Sequence, residues 1–384
     1  MLSNPLHSLP STEHPYFIWV LAPHLITNDP NIDYYYDFSQ SIEEYTRVFE
    51  ALQLQWKWQP VTINNYKTVI DEIAVTKNFQ TPIVLNLCDG DEVNGTPGVS
   101  VIHYLKEKGL IYTGAEPAFY DNTTSKIIMK ELFDKAGISH AAWAPIHHSE
   151  QKLEGICEAI GTPLIVKPAV SGGSMGLGVK NVVQNNEALH ALVQELFTGY
   201  RGWDFTFGGL VAEQFINGPE YTVFISGSYT HPRSKRVYVP VERIFHKDLP
   251  DTEKFLSFDR LWETYEAEKA LGQQEDEDFY QYALPPASLH KKITDLSWKA
   301  YCAVGGTGYG RVDIRMDKAT GKLYVLEVNA QCGLSEDENY TSIGAIVRLG
   351  HEKYANLILH ILQDALQRHT VKQRKTVAVR QERA

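Results

Sequence analysis

Short apolar runs alternate with helically spaced apolar positions through the first third of the chain. Runs at 15–23, 83–90 and 110–114 are typical of buried strands. Apolar residues recur every three or four positions in 41–54 and 99–109, which predicts two amphipathic helices. Strands that alternate with helices in this way form parallel sheets, so we predict a doubly wound N-terminal unit.

The middle of the chain carries weaker but readable signals. Asn122 or Thr123 is expected to cap a helix that ends at Gly137. The strand LIVK places Ile165 and Lys167 on one face. Because this strand is otherwise apolar, its lysine would be expensive to bury without an anion.

Two antiparallel strand pairs are predicted in the second half. The first lies at 210–227 and turns at Asn217-Gly218. The polar, weakly patterned stretch 242–285 follows, which predicts either disorder or a lid over a site. A helix near 291–304 leads to the second pair.

This second pair is a hairpin in which polar and apolar residues alternate strictly. A three-residue loop at 319–321 sets the register. Four polar side chains then share one face in two facing pairs, Asp313 with Glu327 and Arg311 with Asn329. The opposite face is wholly apolar and consists of Val312, Ile314, Met316, Tyr324, Leu326 and Val328.

Composition narrows the possible partners. The chain has 384 residues and a formal net charge of −11, which argues against nucleic acid as the main partner. A small anion in a local basic pocket remains compatible with that charge. The four cysteines lack metal-site spacing and are too few for a disulfide scaffold, so we expect reduced thiols in a cytoplasmic protein. No membrane span or secretory signal is expected.

The polar face of the hairpin has the chemistry of a metal and phosphate site. Two carboxylates, an amide and a guanidinium are suitable ligands for a divalent cation and a phosphate, although a plain solvated face is the alternative. The loop 171–178 is rich in glycine and can bring backbone N–H groups to a phosphate; a flexible turn is its alternative. Lys126, in the first turn of its helix, is either solvated or part of the same site.

A flat ring can be bound beside that loop. Glu213, Gln214, Phe215 and Ile216 offer backbone amides and an apolar wall, although core packing explains Phe215 equally well. Glu220 can reach a ribose hydroxyl. The loop 171–178 matches neither a P-loop nor a dinucleotide fingerprint, and the glycine-rich segment GGTGYG (305–310) before the hairpin is not a dinucleotide fingerprint either.

With these residues in view, the chain resembles the ATP-grasp enzymes, and among them the D-alanine–D-alanine ligase-like group. The resemblance runs from about residue 86 to about residue 362. Three separate blocks carry it in the family's order: LIVKPAVSGGSMGLGV, VAEQFINGPEYTV and GYGRVDIRMDKATGKLYVLEVNAQCGLS.

The resemblance implies an α/β protein with the ATP-grasp fold. It divides the chain into a doubly wound N-terminal domain (1–118), a small β-rich central subdomain (119–225), a C-terminal subdomain with an antiparallel sheet (226–370) and a flexible tail (371–384). It also implies small-molecule substrates (an amino acid and an acceptor) and a homodimer.

The resemblance further assigns roles to individual residues. ATP and two Mg²⁺ ions, for which Mn²⁺ can substitute, are the implied cofactors. The residues expected to bind ATP are Lys126, Lys167, Ser171, Gly172, Gly173, Ser174, Glu213, Gln214, Phe215, Ile216 and Glu220. Asp313, Glu327 and Asn329 are the expected metal ligands. Arg311, Gly333 and Ser174 are the expected catalytic residues.

Two departures from the family bear on the substrate. The Ser-x-Glu-type motif that helps to place the first amino acid is missing after Val20. After Asn329 the family has Thr-x-Pro-Gly-Met-Thr and then a small hydroxyl residue, whereas this chain has AQCGLSEDEN, with Glu338 at the hydroxyl position. Together with Glu336 and Asp337, this acid is expected to repel a carboxylate and to favour a cationic or neutral amine or a polyhydroxylated partner.

The leading hypothesis is therefore an ADP-forming ligase that phosphorylates an acceptor oxygen and joins the acceptor to the amine of an amino acid. One candidate reaction joins an amino acid to mycosporine-glycine, as in mycosporine-like amino acid biosynthesis. The alternatives are a D-alanine–D-alanine or other dipeptide ligase, a kinase-like enzyme that leaves the phosphate on its product, and a nucleotide-binding module without catalysis.

Overall fold

A computed structural model of the chain describes residues 8–26, 37–93, 95–171, 174–199, 204, 206–258, 279–337 and 341–382. Three sheets organise these residues. Among the described residues, no helix is both long and apolar enough to cross a membrane.

The N-terminal sheet is parallel, as the alternation of strands and helices predicts. Its four strands lie in the order β2-β1-β3-β4. Ile18 and Ile83 pack on one side and Leu21 and Val84 on the other, so both faces are buried. The strands are β1 (Tyr16–Pro23), β2 (Gln55–Val61), β3 (Thr81–Asn86) and β4 (Ile111–Tyr112), and the helices are α1 (Ser39–Leu52), α2 (Tyr66–Val75) and α3 (Val99–Glu107).

The helix predicted to start near Thr123 is two helices, α4 (Pro117–Thr124) and α5 (Lys126–Ala136). The N-cap is Ser125, not Asn122 or Thr123; its backbone is extended and its hydroxyl accepts from the Ile128 amide. Ser125 also bridges to Val170, and this break brings Lys126 beside the glycine-rich loop.

The small central sheet is antiparallel in the order β5-β8-β6-β7. Leu164 and Val166 point into its core, whereas Ile165 joins a different apolar cluster, as the alternation in LIVK predicts. The elements are β5 (Trp143–Ile146), α6 (Ile156–Ile160), β6 (Leu164–Pro168), β7 (Val182–Val183), α7 (Asn186–Phe197) and β8 (Leu210–Gln214).

The C-terminal sheet has six strands, with β12-β11-β9-β13-β14 as its path and β10 paired to β9. The final helix includes most of the segment for which the sequence predicts a tail. The elements are β9 (Glu220–Ser228), β10 (His231–Val237), β11 (Val241–Phe245), β12 (Tyr280–Ala283), α8 (Ala287–Ala303), β13 (Tyr309–Met316), β14 (Leu323–Ala330), α9 (Ser342–Leu349) and α10 (Tyr354–Glu382). Residues 259–278, nearly half of the candidate lid at 242–285, lie outside the described part of the chain, and both described ends of that stretch form strands of this sheet, β11 and β12.

The predicted strand pair at 210–227 is wrong, because β8 and β9 belong to different sheets. The Asn217-Gly218 segment crosses between the sheets and packs on the end of β13. The Met316 amide donates to the Pro219 carbonyl, and the Lys318 amide donates to the Asn217 carbonyl, both at 2.9 Å. The proposed domain boundary at 225 therefore falls inside β9.

The hairpin β13–β14 has the predicted register at its functional end and a different register near its turn. Arg311 pairs with Asn329 and Asp313 with Glu327, but Ile314 then pairs with Val325. Leu326 is the extra residue of a β-bulge, so Val325 fills the core in its place. The turn accordingly holds four residues, 318–321, since the Asp317 amide bonds to the Lys322 carbonyl.

The N-terminal sheet is joined to this hairpin by a side chain and a close backbone approach. The buried Gln331 accepts from the Ala115 amide at 3.0 Å and donates to the Asn86 carbonyl at the end of β3. Gly308 has φ +71°, and a Cβ there would lie 1.9 Å from the Gly114 carbonyl oxygen.

We expect Gly308→Ala to destabilise the protein far more than Gly321→Ala. Both glycines have similar φ values, +71° and +68°, so both variants carry about 1–2 kcal/mol of left-handed strain. A Cβ at Gly321 meets nothing within 4 Å, whereas at Gly308 it must displace backbone, for a total of about 3 kcal/mol or more. Urea unfolding of the two variants checks this, and equal losses would contradict the close approach.

Candidate active site

The polar face of the hairpin is a connected set of side chains. Asp313 Oδ2 accepts from Arg311 Nε at 3.1 Å, from Arg311 Nη2 at 2.9 Å and from Asn329 Nδ2 at 2.9 Å. Asn329 Nδ2 is also 3.3 Å from Glu327 Oε1. From the neighbouring strand β9, Thr222 donates to Asp313 Oδ1 at 2.9 Å. The structure thus brings together the four residues that the alternation pattern singled out.

The two carboxylates of this face respond differently to burial. Burial raises the pKa of Asp313, and the negative charge of Glu327 adds to the effect. Burial also acts to raise the pKa of Glu327, but the positive charges of Lys126 and Lys167 outweigh it and hold that pKa below its usual value. The Glu327 carboxylate therefore stays ionised and faces the lysines.

A cluster of lysines lies opposite the hairpin face. Glu213, which is 2% exposed, lies between Lys130 Nζ at 2.5 Å and Lys167 Nζ in direct contact. Burial acts to raise the pKa of Glu213, but these two lysines outweigh it and lower the pKa to about 2. The third lysine, Lys126, donates to the Ser171 carbonyl at 3.2 Å, at the start of the glycine-rich loop.

The electrostatic balance of this region favours an anion. Lys126, Lys130, Lys167 and Arg311 supply four positive charges, while Glu213, Asp313 and Glu327 supply three negative ones. Burial lowers the pKa of Lys126, and the nearby charges of Lys167 and Lys130 lower it further, while Glu327 opposes the shift. A phosphate placed between the lysines and Arg311 would relieve this repulsion.

The glycine-rich loop is tied to the segment 254–258, which we call the cover segment. Ser174, at φ +61°, donates from Oγ to the Leu256 carbonyl at 3.3 Å. The Phe258 amide donates to the Leu177 carbonyl at 2.8 Å. Gly172 and Gly173, two of the predicted phosphate contacts, lie outside the described residues.

Residues 213–216, the predicted adenine wall, lie at the end of β8, but two of the backbone amides predicted to be available to a ligand already have partners. The Gln214 and Phe215 amides are engaged by the carbonyls of Ala142 and Pro163, both at 2.9 Å. The Phe215 ring is buried in a cluster with Ile165 and Phe255, so core packing describes it. Ile216 is 3% exposed and precedes the crossing to β9.

Glu220 begins β9 and is held by two arginines. Arg315 donates to Glu220 Oε2 from Nε at 3.1 Å and from Nη2 at 3.0 Å, and Arg243 contacts Glu220 Oε1. Burial acts to raise the pKa of Glu220, but the two guanidinium groups outweigh it and lower the pKa. The ribose contact stays a prediction for this residue, whose carboxylate is already oriented by these bonds.

The loop after Asn329 is anchored on both sides of an open position. Gly333 is exposed, and a Cβ there would meet nothing within 4 Å. Before it, Gln331 is buried against the N-terminal sheet. After it, Glu44, which is 1% exposed, accepts from Ser335 Oγ at 2.7 Å and from the Glu336 amide at 3.1 Å.

The acidic residues of this loop turn toward α1. Glu336 pairs with Arg47, and Asp337 accepts from Gln40 Nε2 at 2.9 Å. Glu336 thus has a cationic partner, whereas the partner of Asp337 is a neutral amide, and the repulsion of a substrate carboxylate by these acids stays a prediction. Glu338 lies outside the described residues.

The donor set fits a divalent cation. Asp313 and Glu327 are adjacent carboxylates whose repulsion a cation would relieve, and Asn329 touches both. Rotation of the Asn329 amide would offer its oxygen as a third ligand, a set of hard oxygen donors suited to Mg²⁺. In the described part of the chain, no group of three or more His, Cys, Asp or Glu residues has the geometry of a metal site, so the amide matters.

Several important residues were missed by sequence reasoning. Lys130 lies four positions after Lys126 and shares its helix face, which was a readable signal. Arg315 lies two positions after Asp313 and shares its strand face. Thr222 and Glu44 gave no local signal, because only the pairing of β9 with β13 and the docking of α1 bring them to the site.

Comparison with known proteins identifies the family. Residues 132–363 match the family model described as D-ala D-ala ligase C-terminus. That match spans well over half of the chain. The chain belongs to the D-alanine–D-alanine ligase family.

Individual relatives support the assignment. The chain is 30% identical over 257 residues to D-alanine–D-alanine ligase B of Xanthomonas campestris pv. campestris, covering 66% of this chain and 69% of that protein. It is 27% identical over 313 residues to D-alanine–D-alanine ligase of a Marinomonas species, covering 80% and 86%. The prediction of an ATP-dependent ligase that forms C–N bonds is confirmed at the level of the family.

Solved structures confirm the fold. The D-alanine–D-alanine ligase of Bacillus anthracis complexed with ATP has a TM-score of 0.63 at 17% identity, covering 93% of this chain and 99% of that one. The ligase of Coxiella burnetii has a TM-score of 0.63 at 16% identity, with 95% and 99% covered. The α/β ATP-grasp fold predicted from the motifs is therefore confirmed.

We expect Lys130→Met to destabilise the protein, because it removes one of the two cations that hold the buried Glu213 carboxylate. The expected loss in the free energy of unfolding is about 3 kcal/mol. Lys135→Met, on the exposed side of the same helix, is the matched control and should change it by less than about 0.5 kcal/mol. Chemical denaturation at neutral pH measures both, and similar losses for the two variants would contradict the buried ion pair.

Proposed function

We propose that the protein is an ADP-forming ligase that phosphorylates an acceptor oxygen and joins the acceptor to the amine of an amino acid. The observation that carries the proposal is the opposition of two charged faces. The charges of Lys126 and Lys167 act on the Glu327 carboxylate of the hairpin face, which also carries Asp313 and Arg311. This arrangement suits a nucleotide polyphosphate and its cations.

In the first step, the acceptor oxygen attacks the γ-phosphorus of ATP, and the bond from that phosphorus to the bridging oxygen breaks to release ADP. Lys126 and Lys167 would contact the phosphates, while Arg311 would face the negative charge of the transferring group. Asp313, Glu327 and Asn329 would hold Mg²⁺, two ions by the family resemblance, which when bound neutralises phosphate charge.

In the second step, the neutral amine attacks the activated carbon, inorganic phosphate leaves with the electron pair of the C–O bond, and the nitrogen gives up one proton to the departing phosphate. The exposed Gly333 amide would donate to the oxyanion of the intermediate, a contribution of about 3–4 kcal/mol per donor. Ser174 and the cover segment would exclude water from the activated acceptor. Glu213, Gln214 and Ile216 would line the adenine site.

Two classes of acceptor fit the proposed reaction. The names of the relatives favour a free carboxylate, as in D-alanine–D-alanine ligation through an acyl phosphate. The loop AQCGLSED, which lacks the family's Thr-x-Pro-Gly-Met-Thr motif, favours a different acceptor, such as the vinylogous acid of mycosporine-glycine. Cys332 in this loop is buried, and burial raises the pKa of its thiol to about 12.

The assay that tests the proposal supplies Mg·ATP with pooled amino acids, with and without mycosporine-glycine, and with D-alanine alone. ADP, phosphate and condensation products are measured together, the last by mass spectrometry. Equal amounts of ADP and free phosphate with a new C–N product support a ligase. ADP without phosphate release would instead indicate a kinase, and no ADP in any mixture would overturn the proposal.

We expect Glu327→Gln to lower turnover at least about a hundredfold, while Mg·ATP binding persists. The reason is that the lysines of the opposite face still contact phosphate, whereas one carboxylate ligand of the cation is lost. Lys322→Gln, an exposed substitution in the same hairpin, is the control and should leave turnover unchanged. Full turnover of Glu327→Gln would contradict the assignment of Glu327 as a metal ligand. Loss of nucleotide binding in this variant would instead indicate that Glu327 is needed to bind ATP.

A further inference from the structure

One arginine on the ligand-bearing face of the hairpin has no role in the reaction proposed above. Arg315 follows Asp313 by two residues on β13, so its side chain projects from the same face as Arg311 and Asp313. It is 3% exposed, and it pairs across the strands with Glu220 of β9. The pair formed by Arg315 and Glu220 therefore lies about 7 Å along the strand from the predicted metal ligands on the same face.

Arg315 joins three segments that surround the proposed nucleotide site. Its Nε and Nη2 donate to Glu220 Oε2, and its Nη1 donates to the Ile216 carbonyl at 3.1 Å. Its Nη2 also donates to the Lys254 carbonyl, the first residue of the cover segment. The guanidinium carbon lies 5.1 Å from the centre of the Phe215 ring.

These bonds determine the orientation of the Glu220 carboxylate. Three N–H groups of Arg315 and Arg243 occupy part of its acceptor capacity and fix its plane. A carboxylate accepts about four hydrogen bonds, so one acceptor position remains for a ligand hydroxyl. Without Arg315, Glu220 would lose two of its three fixed donors and would rotate.

We propose that Arg315 is the positioning residue that makes the site selective for the ribose of ATP, by holding Glu220 in the orientation that accepts a ribose hydroxyl. The inference rests on the proposed function, since it needs ATP at this face. Arg315 touches no reacting atom. Its effect is on which nucleotide binds, through Glu220 and through the carbonyls of Ile216 and Lys254.

The test measures equilibrium binding of Mg·ATP, Mg·2′-deoxy-ATP and Mg·3′-deoxy-ATP by calorimetry, without other substrates. For the natural sequence we expect ATP to bind at least about tenfold more tightly than one of the deoxy nucleotides. In Arg315→Met this ratio should fall to about one, and in Arg315→Lys it should be intermediate, because a lysine keeps the charge but not the fork of donors.

A matched buried arginine separates positioning from general stability. Arg368 also bridges two carboxylates, Glu116 and Asp364, and donates to the carbonyls of Tyr112 and Gly114, away from the nucleotide face. Arg368→Met is expected to weaken folding but to keep the ratio of ATP to deoxy-ATP affinity. Partial unfolding lowers both affinities equally, so the ratio reports positioning alone.

The outcomes are distinct. A natural protein that binds no Mg·ATP would overturn the proposed function. A natural protein that binds ATP without discrimination, or an unchanged ratio in the folded Arg315 variants, would overturn this inference and leave the proposed function standing. If Arg315→Met does not fold, Arg315→Lys carries the test alone.

Discussion

Two carboxylates facing each other across paired strands are the constraint on which the rest of the site depends. Asp313 and Glu327 are neighbours in the register of β13 and β14, and like charges opposite each other destabilise a sheet. The fold keeps them there by surrounding them with Arg311, Asn329 and the lysines of the opposite face. A stable protein without a ligand role would not need this arrangement, since apolar residues of similar size are often at least as stabilising.

Each of the three sheets contributes a different part of the charged site. The central sheet supplies Lys167 and Glu213, the C-terminal sheet supplies the carboxylates, and the N-terminal sheet fixes the loop that carries Gly333. The Asn217-Gly218 segment joins the first two sheets, and its backbone is bonded to the end of β13. A change in the angle between these sheets would therefore alter the distance between the lysines and the carboxylates.

Much of the site could be predicted from the sequence because its polar residues recur at every second position of a strand. Alternation placed Asp313 and Glu327 on one face and Lys167 beside Ile165 without any knowledge of the fold. The bulge at Leu326 was missed because one extra apolar residue leaves an apolar pattern intact. The separation of β8 from β9 was missed because a turn signal such as Asn-Gly does not reveal whether two strands share a sheet. Contacts such as that of Glu44 with Ser335 join residues almost 300 positions apart, and no local pattern encodes them.

The two anchors of the Gly333 loop have a consequence for how this enzyme can be altered. Gln331 forms hydrogen bonds with backbone groups at the ends of the N-terminal strands, and Glu44 of helix α1 accepts hydrogen bonds from the loop. The N-terminal domain therefore helps to determine the conformation of this loop. A chimera that joins the N-terminal domain of a relative to the rest of this chain would keep the polar face of the hairpin but would replace Glu44 and the backbone groups that Gln331 contacts, and so would change the conformation of the loop around Gly333.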